Sequence, residues 1–357
     1  MPDTAAPEPA DTASLASAWK AAKSATPKAR ARDIADRLGV SEGALAEARI
    51  GDGVARLALG ETRPLDLLEG MRGIGPVMTL TRNEACVHEV TGEMGEVAGH
   101  GMMGQVVGAI DLRLFLRHWH AAYSMSEETR SGLRQSVQVF DKAGESVIKI
   151  YATAETDMPA WQALAETHWD TGTSPTSFTP AEAPAADPPD DQIDTEALRN
   201  AWRALEHSHD FHKVLREMGL GRSQALRLAG PDLARQVPAS AVETLLRGAA
   251  AGEIPIMCFV GNPGCIQIYS GQIERIEPMG PWLNILDPSF NLHLRADRVA
   301  EAWAVIKPTK LRGQITSLEL YDAEKTLICQ FFGARPPGEG ERLEWRSLVE
   351  NLPGRHP

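Results

Sequence analysis

Ten histidines are spread over the 357 residues, and one short stretch gathers three of them. It reads EHSHDFHKVL and contains His207, His209 and His212. His209 and His212 are three positions apart, so on a helix they share a face. A neutral imidazole can give a nitrogen lone pair to a metal. The same residues also suit a solvated helix end, and spacing alone leaves both readings open. No HExxH occurs, and no carboxylate–histidine spacing points to a hydrolytic metal site. No phosphate-binding loop occurs either; GHGMMG and GMRGIG read as turns. Cys86, Cys258, Cys265 and Cys329 form no CxxC pair and no zinc-ligand spacing, so they read as buried, reduced thiols.

A second segment, MGPWLNILDPSFNLHLR (Met279 to Arg295), brings His293 and Arg295 close together. Its Gly-Pro and Pro-Ser turns flank an alternating apolar run, which suits a turn followed by a strand or a helix entry.

The elements that must position these residues occur twice. TGTSPTSFTPAEAPAADPPDDQID, Thr171 to Asp194, has almost no apolar side chains to bury and reads as a linker. On either side of it the sequence repeats at an offset of about 180 residues. LGVSEGALAEA parallels MGLGRSQALRLA, RNEACVHEVTGEM parallels GNPGCIQIYSGQI, and VQVFD parallels LELYD. Trp161 sits where Trp345 does. The expected layout is a tail at 1–12, an N-terminal repeat at 13–170, a linker at 171–194 and a C-terminal repeat at 195–357. Each repeat opens with an amphipathic helix, as Leu198, Trp202, Leu205, Phe211, Leu215 and Met218 show. A second helical stretch is expected from about Arg222 to Arg247. IPIMCFVGN, CIQIYSGQIERI, ITSLELYDA and TLICQFFGAR read as strands, and ERLEWRSLVENL as the last helix. A helix is expected to interrupt the strands at RADRVAEAWAVI, and likewise at LRLFLRHWHAAYS in the first repeat. The fold class is therefore α+β, a tandem duplication in which each half is an antiparallel sheet with flanking helices.

The formal net charge of -12 disfavours nucleic acid as a partner, because phosphate binding relies on basic residues. The N-terminus has no basic and apolar stretches of a secretory signal, and no run of residues suits a membrane span. The expectation is a cytoplasmic protein without membrane insertion.

NPGCIQIYSGQIERIEPMGPWLNILDPSFNLHLRADRVAEAWAVIKPT resembles the signature of the HemS/HmuS family of bacterial cytoplasmic haem proteins. The resemblance runs from about Leu15 to the C-terminus, omitting the linker. That family is itself a tandem duplication. The resemblance implies haem b (iron protoporphyrin IX) as the cofactor. It implies His209, in HSHDFHKVLREMGL, as proximal iron ligand, with His212 as a possible alternative. It implies Arg113, in IDLRLF, as the distal arginine, so that haem lies between the two halves. Pocket and propionate positions of the family fall on Arg222, Lys307 and Gln330, with Phe259 and Phe332 as aromatic walls and Arg335 near the same rim. Phe332 stands where some members have tyrosine, which removes a hydroxyl contact.

These types suit the ligand: imidazole for iron, Arg and Lys for propionates, aromatic rings for the porphyrin walls. The repeat adds an asymmetry. Arg113 aligns with His293, and Ala29 falls opposite His209, so a single haem site is expected. A secondary site near His293 is the alternative to a strand histidine satisfied by a backbone partner. The function expected from the resemblance is haem carriage in haem uptake and iron acquisition. Haem would come from an importer and pass to a haem oxygenase. The alternatives are a haem-degrading enzyme using an external reductant, and a structural or interaction domain without haem.

Overall fold

The structure is a computed structural model, and it describes residues 12–60, 65–129, 132–172, 174–183, 186–311, 313–336 and 338–354. Residues 1–11 of the expected tail, and His356, lie outside the described residues.

The first half of the chain opens with α1 (Thr12–Ala25), α2 (Ala31–Leu38) and α3 (Glu42–Glu47). Strand β1 (Val54–Leu57), the short α4 (Asp66–Glu69) and β2 (Val77–Arg82) follow. Next come β3 (Cys86–Gly92), β4 (Glu96–His100), β5 (Met103–Val107) and β6 (Asp111–Phe115). Strands β7 (Ala121–Thr129), β8 (Gly132–Phe140) and β9 (Ser146–Ala152) lead to α5 (Met158–Thr167). The second half opens with α6 (Thr195–Arg203), a 3-10 turn at Ser208–Asp210, α7 (Phe211–Met218) and α8 (Arg222–Ala229). Then come β10 (Ala234–Val237), α9 (Ala241–Ala251), β11 (Ile256–Asn262) and β12 (Cys265–Gly271). Strands β13 (Ile276–Met279), β14 (Trp282–Leu286) and β15 (Phe290–Arg295) precede β16 (Glu301–Thr309), β17 (Gly313–Tyr321), β18 (Leu327–Gly333) and α10 (Leu343–Glu350).

These elements form two compact units that are not simply the two halves. The first takes the described residues up to Leu80, Gly92–Glu182 and Pro263–Cys265. The second takes Thr81–Thr91 and the described residues of Ala183–Asn262 and from Ile266 onward. In the first unit the strand order is β1-β7-β8-β9-β2, beside a three-stranded β4-β5-β6. In the second it is β10-β16-β17-β18-β11-β12, beside β13-β14-β15-β3. The shared order β1-β7-β8-β9-β2 and β10-β16-β17-β18-β11 is the duplication expressed as topology. Strand β3 comes from the first half of the chain but pairs with β15, Phe290 opposite Val90, inside the second unit.

Local chemistry accounts for the helix ends. Gly39 after α2 and Gly219 after α7 both adopt φ 67°, ψ 30°, a left-handed conformation that suits glycine. The Leu220 amide then donates to the Leu215 carbonyl, which closes α7 and turns the chain into α8. Trp202 and Phe211 pack at 4.2 Å between centroids in the core over β16 and β17.

Three expectations need correction. The stretch from Arg222 to Arg247 is not one helix: Gly230 and Pro231 end α8, and β10 intervenes before α9. RADRVAEAWAVI forms a 3-10 turn at Ala296–Arg298 and then β16, not a helix. LRLFLRHWHAAYS is likewise β6, a 3-10 turn at Leu116–His118 and β7. Ala302, Trp303, Ala304 and Val305 are all buried, so β16 is covered on both faces and lacks the alternation that marks a strand.

The linker also carries more structure than its composition suggests. Phe178 packs against the Tyr123–Phe140 core cluster of the first unit, and the Thr179 amide donates to the Lys142 carbonyl. At its other end Gln224 donates to the Pro188 carbonyl and to Asp190 in the second unit. Ile193, near the same end, packs against the Trp202–Phe211 core cluster.

Candidate functional site

In the second unit, the 3-10 turn that carries His209 packs on β16, directly before α7. The Asp210 carboxylate accepts from the His207 amide at 2.7 Å and holds the turn. The rings of His207 and His209 stack at 5.0 Å between centroids, 8° from parallel. His209 is exposed, and among the described residues its ring is held by that stacking rather than by a hydrogen bond.

His212 is the second residue of α7 and is exposed, although its ring is flanked by protein atoms on the side of Arg222 and Lys307. Crowding by protein atoms, then the cations of Arg222 and Lys307, push its imidazole down to about 4, against the pull of Glu319. It is therefore neutral near pH 7 and retains a nitrogen lone pair.

Under α7 lies an ionic cluster. Arg222, the first residue of α8, grips Glu319 with two hydrogen bonds of 2.7 Å. Lys307 of β16 donates to the same carboxylate at 2.8 Å, and Tyr321 and Ser317 donate at 2.8 and 3.2 Å. Burial opposes the charge on Glu319, but Arg222 and Lys307 hold it well below the usual carboxylate range. Burial, assisted by Arg222, lowers Lys307 to about 8 despite Glu319. With Lys307 charged, two cations face one carboxylate, and the cluster carries an excess of one positive charge.

The cluster continues into an aromatic strip. Arg222 and Lys307 lie 5.2 and 5.4 Å from the centre of the Phe211 ring. Lys307 is also 5.8 Å from Phe332, which meets Phe259 edge-on at 5.2 Å. Strand register places Gln330 opposite both Glu319 and Phe259, and Met257 opposite Phe332. Phe259, Phe332, Met257 and Gln330 are all half-buried, so this end of the sheet face is only partly covered. Arg335 is half-buried just past the end of β18. His209, His212, Arg222, Lys307, Gln330, Phe259 and Phe332 thus gather in one unit. The arrangement offers a nitrogen donor, net positive charge and a flat apolar wall, which fits an anionic aromatic macrocycle holding a metal.

Arg113 belongs to the first unit, on β6. It donates to Asp111 and, at 3.0 Å, to the Leu112 carbonyl. Burial raises the Asp111 carboxyl, opposed by Arg113. Its sheet face, Arg113 opposite Gln105 with Met103 opposite Phe115, is largely open, while Leu112 and Leu114 on the other face are buried.

Sequence reasoning missed Glu319, Ser317, Tyr321 and Phe211. The signal was present in SLELY: Ser317, Glu319 and Tyr321 alternate with Leu318 and Leu320, placing a carboxylate at an inward position. The four cysteines are free and buried, as expected. Among the described residues no group of three or more His, Cys, Asp or Glu side chains can hold a metal ion by itself.

Comparison with known proteins accords with this geometry. The profile of the haemin-degrading HemS.ChuX domain matches residues 39–168 and 219–352, once in each half. The hemin transport protein HemS of Yersinia enterocolitica is 39% identical over 336 residues, covering 93% of this chain and 95% of that protein. The crystal structure of holo-PhuS, a heme-binding protein from Pseudomonas aeruginosa, is similar at 42% identity and TM-score 0.92, over 97% of this chain and 100% of that one. That of ChuS, an E. coli heme oxygenase, is similar at 36% identity and TM-score 0.84, over 95% and 99% of the two chains.

Proposed function

The chain belongs to the haemin-degrading HemS/ChuX domain family, and from that premise we propose that it binds haem b as a carrier in haem utilisation. The observation that carries this reading is the meeting, in one unit, of an exposed imidazole at His209, an excess of positive charge and a partly open aromatic strip. Haem, when bound, would supply the iron; the side chains named here would bind, orient and shield it. His209 is proposed as the residue that would hold the iron, with His212 as a neutral neighbour able to take its place. Arg222 and Lys307 supply the field that favours propionates, and Arg335 lies near the same rim. Phe259, Phe332 and Gln330 would line the macrocycle. Arg113, always charged, is proposed as the distal group.

An imidazole held by ring stacking rather than by a hydrogen-bonded carbonyl is less firmly oriented, which would favour release. That supports carriage: haem received from an importer and handed to a haem oxygenase. The buried, free cysteines support a reducing, cytoplasmic setting. Among the described residues no helix is long and apolar enough to cross a membrane.

Haemin titration tests the site. His209→Ala should weaken binding by at least tenfold, while His212→Ala should change it by less than threefold, as roughly expected for losing a ligand and a neighbour. Unchanged binding in both His209→Ala and the double variant His209→Ala with His212→Ala would remove this pair as the source of the ligand. The second reading, ring opening by the protein itself, is favoured by the likeness to the heme oxygenase ChuS. Single turnover with an external reductase and catalase separates the two. Release of iron and an opened tetrapyrrole selects the enzyme; transfer of intact haem to an added oxygenase selects the carrier.

A further inference from the structure

Trp161 of α5 and Trp345 of α10 hold the same place in the two repeats, and both are fully buried. In the second unit the Trp345 indole N–H donates to the Thr316 carbonyl of β17 at 3.2 Å. Register makes Gln135 of β8 the counterpart of Thr316, since Ser126 lies opposite Gln135 as Ile306 lies opposite Thr316. Yet the Trp161 N–H is buried with no hydrogen-bond partner among the described residues. One sequence difference accounts for this. Gly333 approaches Trp345 so closely that a Cβ there would come within 2.6 Å of the ring. Its counterpart at the end of β9 is Ala152, so Trp161 cannot sit as close to the sheet. A buried donor without a partner is costly, which makes this N–H a place for an acceptor from outside the chain.

The same tryptophan lines a cleft of about 330 Å³ in the first unit, bounded by β1, β7, β8 and α5. Differences between the repeats open it. Gly53 stands where the buried Leu233 stands, each accepting from the matching amide, that of Ser126 or Ile306. Ala55 stands for Arg235, whose guanidinium donates to the Leu352, Val349 and Glu350 carbonyls at the end of α10. Gln162 stands for Arg346, which bonds Glu341 and the Gln314 carbonyl. Ser124 and Ser126 stand for Ala304 and Ile306. At every one of these positions the first unit has the smaller or the more polar side chain.

The lining restricts what fits. It carries no Lys, Arg or His and a single carboxylate, Glu166, so it does not favour an anion. Trp161 can only donate, whereas the serine hydroxyls and the Gln135 and Gln162 amides can donate or accept. Trp169, just past α5 and 53% exposed, offers an indole face for stacking. We propose that this cleft binds a small, uncharged, planar heterocycle with a ring amide. Its carbonyl accepts from the Trp161 N–H, its ring N–H meets a serine or glutamine, and its face stacks on Trp169. The volume suits one or two fused rings rather than a porphyrin, so this site is additional to the haem reading and independent of it.

The full chain, isotope-labelled at its tryptophans, is titrated with uracil and with lumazine while NMR follows the indole N–H resonances. Trp161→Phe identifies the Trp161 resonance by its loss. That resonance should shift saturably with at least one of the two compounds. Equilibrium dialysis should show about tenfold weaker binding to Trp161→Phe, roughly the worth of one hydrogen bond. Ala55→Arg and Ser126→Ile, which copy the second repeat, should abolish binding. Circular dichroism confirms that each variant is folded; should Trp161→Phe unfold, the other two carry the test. A Trp161 resonance unmoved by both compounds means that water alone meets the N–H, and overturns the inference. Binding undiminished in both Ala55→Arg and Ser126→Ile overturns the location. Glucose shifting the resonance as strongly as uracil and lumazine overturns the class of ligand.

Discussion

The two units carry the same framework with a different charge pattern at its centre. Register matches Tyr123, Gln138 and Lys149 of β7, β8 and β9 with Trp303, Glu319 and Gln330 of β16, β17 and β18. The first residue of the preceding helix is Glu42 in α3 and Arg222 in α8. Glu127 of β7 stands where Lys307 stands in β16. Every ionic position has therefore changed: Glu42 for Arg222, Glu127 for Lys307, Gln138 for Glu319, Lys149 for Gln330. In the first unit Lys149 is paired with Glu42, and Glu127 with Arg49 at 2.9 Å. Arg134 lies 5.0 Å from the centre of the Tyr151 ring, at the position equivalent to the more open Phe332. Ala29 stands opposite His209 in the repeat. The lesson is that duplication copied a scaffold able to bury a few charges, while the charges themselves diverged between the copies.

The comparison can be broken experimentally. Glu319→Ala should have the largest effect, because it leaves Arg222 and Lys307 buried without their shared carboxylate. Chemical denaturation should show a loss of about 4–5 kcal/mol in the second unit, with haemin binding lost as well. A loss below about 1 kcal/mol would mean that the cluster is not a structural centre. Lys149→Met in the first unit should cost about 3 kcal/mol by stranding Glu42, yet leave the haemin titration unchanged. An altered titration would show that the first unit's charges also serve the ligand.

A smaller effect concerns β3 and β12, where His88 stands at the position equivalent to Gln267. His88 is fully buried, with Nε2 3.3 Å from the Cys258 carbonyl oxygen, and burial lowers its pKa from 6.5 to about 3. Between those values the unfolded chain binds more protons than the folded one. The contribution to stability is full above pH 6.5 and falls as pH drops towards 3. At pH 5 the loss should be about 2 kcal/mol. His88→Gln, which copies the other repeat, should flatten that part of the pH profile; an unchanged profile would assign the acid sensitivity elsewhere.

Much of this was legible in the chain. The repeat, most strands and the α+β class follow from composition, spacing and apolar patterning, which are local properties. His209 and Arg113 were reached through resemblance, and spacing alone left the histidine cluster ambiguous. Where periodicity failed, at β16 and at the break between α8 and α9, burial on both faces and a Gly-Pro break had replaced the pattern that marks an element.

The sequence by itself determined that one unit occurs twice and that the copies differ at Arg113 and His293. Only the tertiary structure decided that Thr81–Thr91 joins the second unit, that Glu319 is the partner of both Arg222 and Lys307, and that His293 meets the Asn284 side chain. Strand pairing and buried charge pairs join residues far apart in the chain, and local patterning carries no record of which strand lies beside which.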